Sequence, residues 1–451
     1  MKWAQEELGT AELGDARLNQ RLIKVAGQLA AKPTASIPAA CGSWGDTAAA
    51  YRLLDNERCD WREVIEAHGR SSLARMAAQA VVLCLNDTTE LDFNGQRIDG
   101  LGPLSYEAQR GMYLHPTYAV STQREPLGVL DAWMWARKPR DAKGRREDVC
   151  ESRRWIESYE RLAECAGTLQ STRLVQVGDR ESDMLELMQR AQALGWPVDL
   201  LVRVQHNRRL PEGGALFEAV QAAEPLGDIE FTLGPRAGRK ARAVRQQLRL
   251  QPVVVGHDPA GAPIEINCVL ASEVDAPAGE QPVCWRLLTN RAATSLAQAS
   301  ELIDWYRARW EIEILFHVLK TGCRVEALQL ASMPKIERAL ALFLVVSWRI
   351  AHLMRMGRTC PDLPASLLFD GDEIAAAYVL THKPPPATPP KLNKVVRRVA
   401  MLGGFLARKH DGEPGVKTLW IGLQASSTSP QACTSCANRP MRVGVVCNGM
   451  G

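Results

Sequence analysis

Several things are scarce in this 451-residue chain, and each scarcity excludes a class of protein. An excess of one charge is lacking: 55 Lys and Arg stand against 51 Asp and Glu, which excludes a polycationic tail and an acidic solvating protein. No apolar run approaches the roughly 20 residues of a membrane span. The most apolar window, Leu340 to Trp348, is followed by Arg349 and His352 and predicts a buried helix, so no membrane partner is expected. No apolar stretch follows Lys2 in MKWAQEELGTAELGDARL; a secretory signal is therefore not read there, and a cytoplasmic location is expected. A repeat of fixed period is absent too. Twelve cysteines lie without a repeated spacing, which excludes a disulfide framework and leaves Cys433 and Cys436 as a lone C-x-x-C, incidental rather than a zinc site. Phe and Tyr are few, seven of each against twelve Trp. Most of those indoles belong in a core, and one or two beside a site could stack on an unpaired base.

What is present is an ordinary globular composition, 46% hydrophobic and 24% charged, in a chain long enough for several domains. The first 75 residues read as helices. Asp15 caps a run in which Leu18, Leu22, Val25 and Leu29 recur at helical spacing, Asp46 is placed to cap a second helix, and Asp60 a third. Arg17, Arg21, Lys24 and Arg52 are interleaved among them, which fits a small bundle or a DNA-contacting module.

From Ala80 the pattern changes to apolar runs bounded by turn chemistry. Strands are predicted at Val81–Leu85, Met112–Ser121, Leu127–Ala136, Leu174–Val177 and Val198–Val204, with a helix over Asp183–Leu194. That order indicates an α/β domain built on a mixed sheet. Residues 205–290 are richer in strands and read as an insertion. Long helices are expected over Leu296–Leu319 and Pro334–Met356. The string Pro384 to Pro390 marks an extended excursion, and one helix, Lys391–Lys409, follows it.

Asp87 and Asp179 each stand just past a short apolar strand, where ligands of α/β sheets gather. A third carboxylate is found on the helix around Trp305–Lys320. At roughly 100° per residue, Tyr306, Arg309, Glu313, His317 and Lys320 fall within an arc of about 80°. Three carboxylates on rigid elements, with no His or Cys cluster beside them, suit oxygen-seeking Mg²⁺, with Mn²⁺ as a substitute, rather than zinc. Two such ions per site can activate a water or a 3′-hydroxyl and stabilise the leaving oxygen of a phosphodiester displacement. Paired acids could serve a glycosidase instead, but the adjoining cations would hold both ionised, which is wrong for a general acid. Basic clusters at Arg137–Arg146, Arg203–Arg209 and Gly234–Arg249 supply phosphate-tracking surfaces.

These residues carry a resemblance. The series Tyr306, Arg309, Glu313, Lys320 is similar to the Y-x2-R-x3-E-x6-K signature of the bacterial insertion-sequence transposases of the DDE class. Asn86-Asp87-Thr88-Thr89 resembles the family's D-T-T strand end, and Asp179-Arg180-Glu181-Ser182-Asp183 its D-R-E-A-D element. Trp285 stands 21 residues before Tyr306, as a base-stacking tryptophan does there. The likeness runs from Glu12–Arg17 to Leu402–Phe405 and lapses after Gln424, while His317 and Gln205 stand where the best known relative is basic.

The resemblance implies a ribonuclease H-like mixed-sheet α/β core with a β-rich insertion, between helical N-terminal and C-terminal domains. It implies a DNA-end-binding domain over 1–75, a catalytic domain over 76–358, a dimerisation region over 359–424 and a divergent, disordered tail over 425–451. Asp87, Asp179 and Glu313 would be the catalytic metal triad. Tyr306, Arg309, His317, Lys320, Arg203, Arg21 and Arg52 would hold DNA, and Trp285 would receive a flipped base. The implied activity is cut-and-paste transposition through a hairpin intermediate, by a homodimer bridging two inverted-repeat ends of double-stranded DNA and joining them to target DNA. The alternative is an end-binding protein made catalytically defective, or an inhibitor of transposition, by its altered C-terminus.

Overall fold

The computed structural model describes residues 2–141, 143, 151–234 and 241–428. Parts of the basic clusters at 137–146 and 234–249, and the tail from 429 with Cys433 and Cys436, lie outside the described residues.

Five helices open the chain: α1 (Lys2–Leu8), α2 (Ala16–Ala31), α3 (Ile37–Cys41), α4 (Trp44–Asp55) and α5 (Trp61–Met76). Asp15 and Asp60 cap α2 and α5 by accepting from the Arg17 and Arg62 amides at 2.8 and 3.0 Å, each worth about 1 kcal/mol. Asp46 does not cap α4. Ser43 does, accepting from the Asp46 amide at 3.1 Å, which frees the Asp46 carboxylate to accept from Lys24 at 2.5 Å and Gln28 at 3.2 Å on α2. The short helices α1 and α3, too brief for a periodic signal, are additions to the sequence reading. Helix α1 is fastened by Glu7, whose carboxylate accepts from His68 Nδ1 at 2.7 Å and from Arg75 at 2.7 Å. The Val129 amide donates to His68 Nε2 at 3.1 Å, so this fully buried ring is the neutral Nδ1–H tautomer.

The core sheet is formed by β1 (Val81–Asn86), β2 (Thr89–Asp92), β3 (Gly102–Pro103), β4 (Arg110–Ser121), β5 (Pro126–Trp135), then, after α6 (Arg153–Thr168), β6 (Arg173–Gly178), and, after α7 (Leu185–Ala193), β7 (Asp199–Arg203). Strands β5, β4 and β1 are antiparallel neighbours, while β6 and β7 run parallel to β1 on its other side. The order β5-β4-β1-β6-β7 is that of a ribonuclease H-like sheet, as the sequence led one to expect. After α8 (Leu216–Ala222) the β-rich insertion supplies β8 (Pro225–Leu233), β9 (Arg242–His257), β10 (Pro263–Val274) and β11 (Cys284–Thr289). Its β9–β10 hairpin turns at Asp258, which accepts from the amides of Ala260 and Ala262 at 2.9 and 2.8 Å. Because β11 pairs with β7, the insertion extends the core sheet to eleven strands.

The chain then returns through α9 (Leu296–Ala308), α10 (Trp310–His317) and α11 (Met333–Thr359). Helix α11 is long and apolar enough to cross a membrane by composition, yet its apolar window is 89% buried inside the protein. It is the core helix expected from Leu340–Trp348, flanked by α5 and β5. Beyond it lie α12 (Gly371–Leu380), α13 (Leu392–Leu402) and α14 (Val416–Thr428), the last two separated by the Gly403-Gly404 break and an extended loop. The helix read over Lys391–Lys409 therefore stops at Leu402, Arg408 and Lys409 lie in the loop beyond it, and α14 is a second helix that the sequence reading did not include. Helix α14 continues past Gln424 and rests against α11, α13 and α2.

Candidate active site

Asp87 occupies a break in a strand. Residue pairing with β4 runs to Asn86 opposite Thr117 and resumes at Thr89 opposite Leu114. Opposite Asp87 stands Pro116, which has no N–H to give a ladder. The Asn86 side chain compensates by donating to Pro116 O at 3.3 Å and Thr117 Oγ1 at 2.9 Å. The opened backbone lets the Asp87 carboxylate turn toward the site, where it accepts from the Thr88 amide at 2.8 Å.

Asp179 follows Gly178, the last residue of β6. A Cβ on Gly178 would lie 2.2 Å from Ser182 Oγ, so only glycine lets the turn Arg180–Ser182 fold back beneath the strand end. Ser182 Oγ donates to Asp179 O at 2.6 Å, and the Asp179 carboxylate accepts from the Glu181 amide at 2.9 Å. The two strand ends are then tied by a side chain that sequence reasoning missed. Arg154 of α6, almost wholly buried, is ion-paired to Glu181 and donates to Thr88 Oγ1 at 3.1 Å. The Thr88 hydroxyl is in turn hydrogen-bonded to His115 Nδ1 at 2.9 Å. Burial, with Arg154 close by, holds His115 well below the ordinary imidazole range, so it is a neutral floor of the site, edge-on to Trp155 at 4.5 Å. Glu181 carried a signal, being inside the D-R-E element; Arg154 and His115 carried none, because their role depends on which strands become neighbours.

The helix bearing the third carboxylate is not continuous. It is tightened at Arg309, where amide 309 bonds carbonyl 306 and amide 312 bonds carbonyl 309, both at 3.1 Å, and it widens into a π-turn over Val318–Gly322. The residues of the predicted stripe are redistributed accordingly. Arg309 is ion-paired to Asp87 and lies 3.8 Å from the Glu313 carboxylate. Tyr306 is buried, with Trp285 of β11 edge-on at 6.1 Å. Lys320 donates to Glu90 O at 2.8 Å and pairs with Glu326 at 3.3 Å. His317 is exposed and meets Trp420 of α14 at 5.2 Å. Trp420 also packs on Gly322, where a Cβ would come within 3.0 Å of the indole. Trp285 is half-buried and stacked on Phe231 at 5.7 Å. Among the described residues Arg21, Arg52 and Arg203 have no side-chain partner. The first two lie on α2 and α4, remote in sequence from the carboxylates, and Arg203 ends β7 beside β11.

Electrostatics joins the three acids. Burial pushes the Asp87 carboxyl up to about 6; Arg309 pulls against that, and the charges of Asp179 and Glu313 add to it. Among the described residues no three His, Cys, Asp or Glu side chains form a ready-made metal cage; the Arg309 guanidinium lies between Asp87 and Glu313. The donor chemistry fits a hard divalent cation all the same. Asp87 stays short of positive charge even with Arg309 bonded to it, and the convergent ligands are all carboxylate oxygens.

A ribonuclease H-like sheet with two carboxylates at adjoining strand ends and a third on a later helix defines a DDE catalytic domain. Three family models match the chain in order: "Transposase DNA-binding" over residues 1–59, "Transposase DDE domain" over 167–348 and "Transposase Tn5 dimerisation domain" over 345–433. The chain thus carries a DDE transposase domain, with a transposase DNA-binding domain before it and a Tn5-type dimerisation domain after it. The last match passes Gln424 by nine residues, so the family pattern and α14 both extend beyond the boundary read from sequence. Among solved structures it is similar to that described as "Cryo-EM structure of piggyBac transposase synaptic complex with hairpin DNA (SNHP)", at 9% identity and a TM-score of 0.33. That alignment covers 81% of this chain and 58% of the other.

Proposed function

We propose that this chain is a cut-and-paste DNA transposase of the Y-R-E-K group, with Asp87, Asp179 and Glu313 as its catalytic carboxylates. The observation that carries the proposal is that Asp87, at a strand end, and Glu313, on α10, share the guanidinium of Arg309, while the charge of Asp179 at the adjoining strand end is felt at Asp87. The site is held by Asp87, Asp179 and Glu313, with Mg²⁺ or Mn²⁺ as the fitting ions; when bound, they supply activation of the attacking oxygen and neutralisation of the leaving one.

The chain's own residues do the rest. Arg154 and Thr88 fix the two strand ends, so that Asp87 and Asp179 need not reorganise on binding. Arg309 and Lys320 present donors for the phosphates flanking the scissile bond, in exchange for their present carboxylate and carbonyl partners. The buried Tyr306 supports Trp285, whose ring is placed to stack on a base extruded from a hairpin end. Arg21 and Arg52, unpaired on the N-terminal helices, would contact the inverted repeat, and Arg203 the DNA nearer the core. A homodimer bridging two ends through the region that matches the dimerisation model, followed by joining to target DNA in the cytoplasm, completes the reading. The test is incubation of the full chain with a duplex carrying the inverted repeat that flanks its gene, with and without Mg²⁺. Site-specific nicking and then a hairpin are expected; binding without conversion would leave an end-binding protein, and cutting without sequence preference a general nuclease.

A further inference from the structure

The segment that follows Lys320 contains a residue that folding alone does not explain. Arg324 holds φ 54° and ψ 41°, the left-handed region that glycine occupies freely and a side-chain-bearing residue enters at a cost. It is exposed, and among the described residues its guanidinium has neither a hydrogen bond nor an ion pair. A glycine would serve the turn better. Arg324 is one of six non-glycine residues with positive φ among those described, and strain of this kind gathers at binding and active sites.

The surroundings indicate what that is. Arg324 lines a cleft of about 360 Å³ whose opposite wall is the Thr34–Pro38 segment and Tyr51 of the N-terminal helices. Pro38 and Tyr51 also line the groove that holds Trp44, an indole 85% exposed. Cleft and groove thus form one trough, leading from the helices that match a DNA-binding model to the segment carrying Lys320. No acidic side chain lines either part, and Arg52, exposed and unpaired, lies next to Tyr51 on α4. A trough without carboxylates, walled by apolar and aromatic groups and carrying one cation, Arg324, in its lining, fits a phosphodiester backbone.

We infer that this trough carries the DNA between the end-binding helices and the carboxylates, with Arg324 as its phosphate contact. The inference deepens the transposase reading and rests on it. Arg324→Gly is the discriminating variant, because glycine relaxes the turn and keeps the fold. Binding of short fluorescein-labelled duplexes, one carrying the flanking inverted repeat and one of random sequence, is followed by anisotropy over a salt series with the full chain. One phosphate contact contributes about 0.9 to the slope of log K against log salt. Arg324→Gly should lower the slope by about that amount on both duplexes and weaken binding about eightfold at 0.1 M salt, while its melting temperature is equal to or above that of the wild type. Arg324→Lys should retain the wild-type slope. An unchanged slope and affinity in Arg324→Gly overturns the inference and leaves the transposase reading intact. Failure of the wild type to bind either duplex overturns both.

Discussion

Arg309 and Asp87 are ion-paired across the junction of the core sheet and the helix that closes it, and the pair leaves Asp87 undercompensated. Burial still holds this carboxyl at about 6 rather than 3.8. A folded-state pKa above the unfolded one means that the folded chain keeps its proton longer. Stability is fully present below about pH 4 and falls as pH rises through 6, by about 3 kcal/mol in all. Asp87→Asn should therefore be more stable than the wild type near pH 8 by up to about 3 kcal/mol and lose that advantage near pH 3, measured by urea unfolding. Parallel curves at all pH values would mean that Asp87 is solvated. Added Mg²⁺ should raise the wild type's stability and leave the variant's nearly unmoved.

Asp87→Ala, Asp179→Ala and Glu313→Ala should each lose strand cleavage and keep binding to the inverted repeat. Charge stabilisation worth several kcal/mol corresponds to at least about three decades in rate. Single-turnover nicking on a labelled end gives the rate, and a gel shift gives the binding. Wild-type nicking in any one variant removes that residue from the triad.

Trp285 is held against Phe231 and Tyr306, so its ring is set before any base arrives. Base stacking of about 1–3 kcal/mol predicts that Trp285→Ala slows hairpin closure by about fivefold to about 150-fold and leaves the first nick unchanged. Trp285→Phe should lose less. Equal slowing of both steps would show that Trp285 supports the site rather than the flipped base.

Glu7 works in the opposite direction to Asp87. Burial opposes its ionisation, but the bonds from His68 and Arg75 hold it down to about 2 from 4.5. Its contribution, about 3 kcal/mol, is present above pH 4.5 and is lost as pH falls through 2. Glu7→Gln should be destabilised at neutral pH and lack this acid-side loss, as read by unfolding curves from about pH 6 to 2. An unaltered slope would place the wild type's acid sensitivity elsewhere.

The parts of the site that were legible from sequence are those whose cause is local. Asp87 and Asp179 follow apolar runs that can only be strands, Asp15 and Asp60 precede periodic helices, and the spacing of Tyr306, Arg309, Glu313 and Lys320 needs no tertiary knowledge. What escaped depends on neighbours brought together by folding. The tightening comes at Arg309, which is tied to Asp87, and the π-turn at Lys320 lies against α14, whereas angular arithmetic assumes a uniform helix. Asp46 has cap chemistry but sits three residues inside a helix that Ser43 begins. Arg154 looks like one basic residue among many until α6 is laid across the ends of β1 and β6. Helix α12 has a capping box at Asp370 and Glu373 but only ten residues, too few for periodicity to separate it from its surroundings.

The pairing of β7 with β11 makes the insertion a ruler. Gly178, before Asp179, is registered on Val202 of β7, and Arg203 of β7 is registered on Leu287, two residues from Trp285. Two strand spacings of about 4.8 Å each therefore separate the line of Asp179 from the line of Trp285. A hydrogen-bonded ladder does not stretch. On the proposed reading, the gap between the phosphate cut at Asp179 and the base stacked on Trp285 is set by backbone geometry, and replacing the insertion with one that lacks the β11 pairing would remove the measure along with the module.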